Sequence, residues 1–183
     1  VAPESQKLMS KLKSPSTYIL LKSLNFSAKV VGRIFAIRHY RTIDALSTNT
    51  LEDLHDEIFT LFERYDHHLW DFQFGRRRPN APHALRFASV DTIDAEREYS
   101  DEADQIRLAS EVTLANLNLS PKQYFFYVFD YGDEWMHKIT VSSYQEVKED
   151  DPDEFRLVKA VGKIPPEYPD YDDDDDEDED ESY

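Results

Sequence analysis

The sequence predicts an α+β fold in which one amphipathic helix packs on a sheet assembled from hairpins. Three patterns carry that prediction. YFFYVFDYGDEWMHKITV, residues 124–141, alternates on both sides of a Gly-Asp pair. Apolar residues recur at helical spacing through 50–65. HLWDFQFG, residues 68–75, alternates aromatic with polar side chains as a half-buried strand does.

Along the chain, residues 1–16 are polar, Ser/Lys-rich and hold Pro3 and Pro15, which predicts a flexible N-terminal arm. Thr17 to Phe26 reads as a strand, and RIFAIRHYR at 33–41 alternates as a second. Gly32 or its neighbours supply the turn of this first hairpin. Thr50 is an N-cap and Asp53 closes a capping box. Leu51, Leu54, Ile58, Leu61, Phe62 and Tyr65 form the stripe of the helix, with Glu52, Asp53, Asp56, Glu57 and Thr60 on its wet face. In the next strand His68, Trp70, Phe72 and Phe74 share one face, and Leu69, Asp71 and Gln73 the other. Residues 75–100 read as irregular, with a short strand near Ala84 to Ala88. Residues 100–112 fit a short helix or an acidic loop, and Thr113 to Leu117 one helical turn. Ser120 to Gln123 is a turn into the central hairpin, and prolines 165, 166 and 169 end the fold after FRLVKAVGK.

A two-residue turn at Gly132-Asp133 sets Asp130 opposite Trp135, Val128 opposite His137 and Phe126 opposite Ile139. Asp130 and His137 then become diagonal neighbours on one face, where a carboxylate fixes an imidazole's proton. A three-residue loop is rejected because it places Lys138 on the apolar face. Trp135, beside the turn, is expected at the wall of a cleft.

Composition bounds the chemistry. Of 183 residues 40% are hydrophobic, with 11 Phe and 11 Tyr, enough for a real core. There is no cysteine, which removes disulfides, thiolate metal sites and cysteine nucleophiles, and fits a cytoplasmic location. No apolar run approaches the roughly 18 residues of a membrane span. Net charge is −17, but residues 170–181 hold 11 of the 38 acids; the rest carries 27 acids against 21 bases. The segment 170–183 is therefore read as a disordered acidic tail, 17–169 as the domain. A mildly acidic body argues against a surface dedicated to nucleic acid, since phosphate binding needs clustered Lys and Arg. Arg76, Arg77 and Arg78 are the one compact basic cluster, read as a solvated loop or as a phosphate or nucleic-acid contact; the acidic tail could fold back on it or capture a basic partner.

At these motifs the chain resembles the plasmid-Ri ORF-three-like family, also called insertion-element passenger resolvase-like proteins. FDYGDEWMH at 129–137 is similar to the family's YDFGDxWxH. TLEDLHDEIFTLFERYDHHLWDF at 50–72, VTLANL at 112–117 and KAVGKIPPEYPDY at 159–171 follow its other motifs in order. Leu61 stands where an Ala is common, and VVGRIFAIRHYR lacks the family's Pro and Trp in the early strands. The resemblance implies a mixed sheet with a β-β-α-β, β-grasp-like start, and no established activity. The matching positions are His55, His68, Trp70, Asp130, Gly132, Asp133, Trp135 and His137.

These residues define the candidate ligand site: His55, His68, Trp70, Asp130, Asp133, Trp135 and His137. A metal site, if formed, would draw on His55, His68, His137 and Asp130, though no HxH or HExxH spacing supports one. No P-loop, GxSxG or GxGxxG occurs, so no cofactor and no catalytic residue is assigned. The expected function is a non-enzymatic binding or adaptor domain with a cleft at the 129–137 hairpin tip. The alternatives are a nucleic-acid-associated accessory protein of plasmids or mobile elements, and a metal-dependent hydrolase. The partner is expected to be a protein or small ligand, with no membrane involved.

Overall fold

The computed structural model describes residues 17–27, 29–30, 33–34, 39–146 and 155–168. Its strands are β1 Thr17–Ser27, β2 Lys29–Val30, β3 Arg33–Ile34, β4 Tyr40–Leu46, β5 Trp70–Phe74, β6 Leu85–Ala88, β7 Arg107–Leu108, β8 Tyr124–Phe129, β9 Trp135–Glu146 and β10 Arg156–Val161. Its α-helices are α1 Leu51–Leu61 and α2 Val90–Arg97. The architecture is α+β. Eight strands form a sheet in the order β10-β4-β1-β9-β8-β5-β6-β7, and β2 and β3 form a separate two-stranded ribbon. Every pair in the large sheet is antiparallel except β6 with β7, so the sheet is mixed.

The first hairpin pairs β1 with β4, Tyr18 with Leu46 and Leu24 with Tyr40. Its second long strand, however, is Tyr40–Leu46 rather than 33–41. Of the expected strand, residues 33–34 pair in the ribbon and residues 40–41 open β4, while positions 35–38 and Gly32 lie outside the described residues. TIDAL, residues 42–46, does not read as a strand because Asp44 breaks its apolar run. Asp44 is buried and is tied to Arg156 of β10, so the charge is met across the strand pair.

Helix α1 starts where its cap requires. The Asp53 amide donates to Thr50 Oγ1 (3.0 Å) and the Thr50 amide to Asp53 Oδ2 (2.7 Å), a reciprocal capping box. Leu51, Leu54, Ile58 and Phe62 bury against Phe72, Phe125, Tyr127, Phe129 and Ile139, which seats the helix on β5, β8 and β9. The helix stops at Leu61, so Tyr65 is exposed rather than part of the stripe. The expected helical turn at Thr113 is a hydrogen-bonded turn instead. The Leu51 amide donates to Val112 O and the Leu114 amide to Asn49 O, so this segment is stitched to the start of α1.

Residues 75–100 are less irregular than the sequence suggests, because α2 lies within them. Its apolar content is low; Thr92 and Ile93 are its buried residues, and this weak stripe hid it from periodicity. Ser89 caps it, and Thr92 Oγ1 both accepts from the Trp70 amide and donates to Trp70 O, pinning the helix to the start of β5.

The central hairpin is present, but its register differs by one residue. Phe129 pairs with Trp135, Tyr127 with His137 and Phe125 with Ile139. The loop is Asp130 to Glu134, five residues long, with both ends in the left-handed region (φ 55° and 52°). Asp130 Oδ1 accepts from the Gly132 amide (2.9 Å), and the Glu134 amide donates to Asp130 O (2.7 Å). An added Cβ on Gly132 would sit 3.2 Å from that carboxylate oxygen, so the pinch favours glycine. The register places Lys138 beside Phe126, the outcome rejected from the sequence. It is tolerated because the Lys138 ammonium lies 4.0 Å from the centre of the Tyr124 ring, and Lys138 is half-buried rather than enclosed. A one-residue slip exchanges faces. His137 therefore joins Phe125, Tyr127 and Phe129 under α1, and Asp130 is not its neighbour.

Candidate functional site

The expected site residues separate into two groups. His55, Trp70, Trp135 and His137 are buried beneath α1. His55 stacks on Trp70 (centroids 4.0 Å, 10° between planes), and its Nδ1 shares a 2.7 Å hydrogen bond with the Tyr127 hydroxyl. His137 meets Phe62 edge-on at 4.5 Å and lies near Tyr127. Burial, then the charge of His67, lowers His55 to about 4. Burial, then Arg64 and His39, lowers His137 to about 3. Both rings are neutral near pH 7 and act as core aromatics. Trp135 carries the Arg64 guanidinium on its ring at 3.6 Å. Arg64 was not singled out from the sequence; its charge made it look like surface.

The second group lies at the rim. His68 Nε2 is 3.6 Å from Asp130 Oδ2 and shares a 3.0 Å hydrogen bond with the Tyr168 hydroxyl, which donates to Asp66. Asp130 thus meets His68, not His137. Asp130 also accepts from the Gly132 and Asp133 amides, which makes it a loop former. Among the described residues no group of three His, Asp or Glu side chains converges as a metal site. A shallow cleft of about 350 Å³ is lined by His55, His67, His68, Trp70, Ser89 and Asp91. In the basic cluster Arg76 donates through Nε and Nη2 to His83 O, closing its own loop, while Arg77 and Arg78 are exposed.

The larger cleft, about 510 Å³, opens on the face of the sheet opposite α1. Gln73, Asn80, Arg86, Glu96, Gln105 and Tyr131 are among its lining residues. It is built by the polar positions of β5 and β6. Asp71 and Gln73 alternate with the core aromatics and face away from them; Gln73 is directly paired with Arg86. Arg86 Nε binds the fully buried Asp71 carboxylate. Arg86 Nη2 donates to Glu96 Oε1 (2.8 Å) and to the Tyr131 hydroxyl (2.9 Å). Gln73 Nε2 donates to Asp71 and to Asn80 Oδ1, and its Oε1 accepts from the Asn80 amide (2.6 Å). Tyr131, from the hairpin loop, is the one member of the expected tip that reaches this cleft. The signal for the rest was present in WDFQF. Two polar side chains buried on a strand paired on both sides require partners, and Arg86 on the neighbouring strand β6 is the partner.

Burial raises the Asp71 carboxyl and the adjacent Arg86 charge opposes that rise. Arg86 itself is raised by Asp71, Glu96 and Tyr131 against the cost of burial, so it keeps its charge. Tyr131 is raised, first by burial and then by Asp71, so it keeps its proton.

The fold is α+β, with one aromatic layer under a helix and one polar layer walling a cleft. The chain belongs to the plasmid pRiA4b ORF-3-like protein family, whose model matches residues 35–170. No curated protein matches it. Among solved structures it is similar to the protein of unknown function MM3350 from Methanosarcina mazei Go1. That match has 19% identity and a TM-score of 0.60, over 84% of this chain and 74% of the other. At that identity the likeness shows the fold. No described helix is long and apolar enough to cross a membrane.

Proposed function

We propose that the chain is a non-catalytic binding domain whose ligand occupies the 510 Å³ cleft beside the hairpin loop. The observation that carries this reading is the Asp71–Arg86–Glu96–Tyr131 network, which is assembled before any ligand arrives. A wall held this way orders few groups on binding, so little affinity is lost to entropy. Arg86 is held charged and Tyr131 is held protonated, whereas general acid–base work wants a group that titrates near the working pH. The opening order β1, β4, α1, β5 supports likening the start of the fold to a β-grasp, a likeness resting on element order alone.

The test fills the cleft. Ala81→Trp places an indole at its wall without touching the network. In a nitrogen-15 NMR screen with a fragment library, the native chain should show shifts at residues 73, 80–86, 96, 105 and 131, and Ala81→Trp should lose them. Shifts confined to other surfaces would sink the reading.

The nucleic-acid alternative has one supporting feature, the exposed Arg77 and Arg78. A mixed-sequence DNA duplex that shifts these two arginines, with an affinity falling steeply in salt, would favour it.

A further inference from the structure

We infer that this cleft recognises a neutral carboxamide edge, a C=O and an N–H side by side as in a lactam or cyclic imide; the inference rests on the binding reading above. Its basis is a count of what the wall still offers. Arg86 has committed Nε and Nη2, and Nη1 makes no hydrogen bond among the described residues. The Arg86 side chain retains 26% exposure at the cleft wall. The Tyr131 hydroxyl accepts from Arg86, so its own proton is left to donate elsewhere. Asn80 uses its carbonyl on Gln73 and keeps its Nδ2 hydrogens. Against these donors stands one carboxylate oxygen, Glu96 Oε2, since Oε1 is taken by Arg86. Within the network wall of Arg86, Tyr131, Asn80 and Glu96 the pattern is a group of donors beside a single acceptor; the exposed Gln105 and His83 side chains also line the cleft.

Charge selects among ligands that fit this pattern. The Arg86 cation is flanked by the Asp71 and Glu96 carboxylates, which leaves the network with one net negative charge. A dianion meets donors whose positive charge is already neutralised. A cation meets Arg86 Nη1, Asn80 Nδ2 and the Tyr131 hydroxyl, all presenting hydrogens. A neutral amide edge satisfies both sides: its carbonyl takes the Arg86 and Tyr131 donors and its N–H reaches Glu96. A poorly matched occupant would cover these donors without meeting them, at a cost in affinity.

The experiment titrates three probes of similar size into the full chain: δ-valerolactam, glutarate and putrescine, followed by nitrogen-15 NMR. The lactam should shift residues 80–86, 105 and 131 and bind at least about fivefold tighter than either ion. Tyr131→Phe keeps the ring and removes the donor; lactam binding should weaken roughly fivefold to tenfold. Glu96→Gln keeps its one carbonyl oxygen on Arg86 and turns an N–H2 to the cleft in place of Oε2, so the lactam should weaken roughly fivefold while glutarate tightens. Amide positions distant from the cleft, such as those of α1, report that each variant is folded. Tighter binding of glutarate or putrescine at the same residues would overturn the ligand class and leave the binding site standing. Unchanged lactam affinity in Tyr131→Phe would overturn the donor count. Silence of these residues toward all three probes would overturn the inference and the binding reading together.

Discussion

The two faces of β5 and β8 solve the same problem by different physics. On the α1 side Phe72, Phe125, Tyr127 and Phe129 pack with Leu54, Ile58 and Phe62, and polar atoms are few. His55 and His137 sit among them as neutral rings. On the α2 side Asp71 and Gln73 are as deeply buried, yet the contacts that hold them are directional, made with a guanidinium, two carboxylates, a phenol and two carboxamides, beside a small apolar cluster of Ala88, Ile93 and Ile106. An apolar layer tolerates approximate packing and resists water. A polar layer costs desolvation, and is stable only if each group is met. The first layer secures the fold. The second leaves a shaped wall with unspent donors, which is where a ligand has something to gain.

Acid should separate the layers most. His55 and His137 are held neutral in the fold at about 4 and about 3, against 6.5 in the unfolded chain. Because the folded values are depressed, the unfolded chain binds more protons below pH 6.5, and stability falls as the pH falls toward the folded values. Each ring contributes a slope of up to about 1.4 kcal/mol per pH unit, so on the order of 5 kcal/mol is lost between pH 6.5 and 4.5. Urea unfolding across that window checks it; His137→Phe should flatten the slope by about half. A slope unchanged by that substitution would remove the histidine layer from the account.

Truncations come next. Phe72→Ala opens a cavity in the dry layer and should cost about 3–5 kcal/mol in the urea midpoint, with the chemical shifts of Tyr131 and Asn80 little changed. Asp71→Asn should cost less, about 2–3 kcal/mol, but should displace Arg86 and alter the Tyr131 and Glu96 resonances. If Phe72→Ala disturbed the cleft as much as Asp71→Asn, the layers would not be separate units. Tyr127→Phe removes the hydroxyl bound to His55 Nδ1 and should cost about 1–2 kcal/mol by thermal unfolding. The smallest effect belongs to Thr50→Ala, about 1 kcal/mol, confined to the capping of α1 and silent at the cleft.

The dry layer was the more legible in the sequence. Its aromatic alternation and helical stripe are periodic, and the capping box at Thr50 and Asp53 is a local pattern of four residues. The polar layer was less so. Asp71 and Gln73 read as an outward face, Arg86 as a strand residue of no consequence and Tyr131 as hairpin aromatic. Glu96 sat in a helix too polar to announce itself. The rejected loop illustrates the same limit from the other side. Lys138 looked incompatible with its face, because the Tyr124 ring that receives its ammonium was not counted as a partner.

Taken alone, the sequence determined the α+β class, the cap and face of α1, the polarity of each position on β5, and the family motifs. These depend on neighbours within a few residues, where backbone periodicity fixes which side chains share a face. Tertiary structure decided the register of the central hairpin, the burial of His55 and His137, and the meeting of Asp71, Arg86, Glu96 and Tyr131. Those outcomes depend on which charges and rings meet across elements, from Arg86 and Glu96, 10 positions apart, to His55 and Tyr127, 72 apart. Spacing along the chain carries no measure of that distance in space, and one residue of loop length is enough to exchange the two faces.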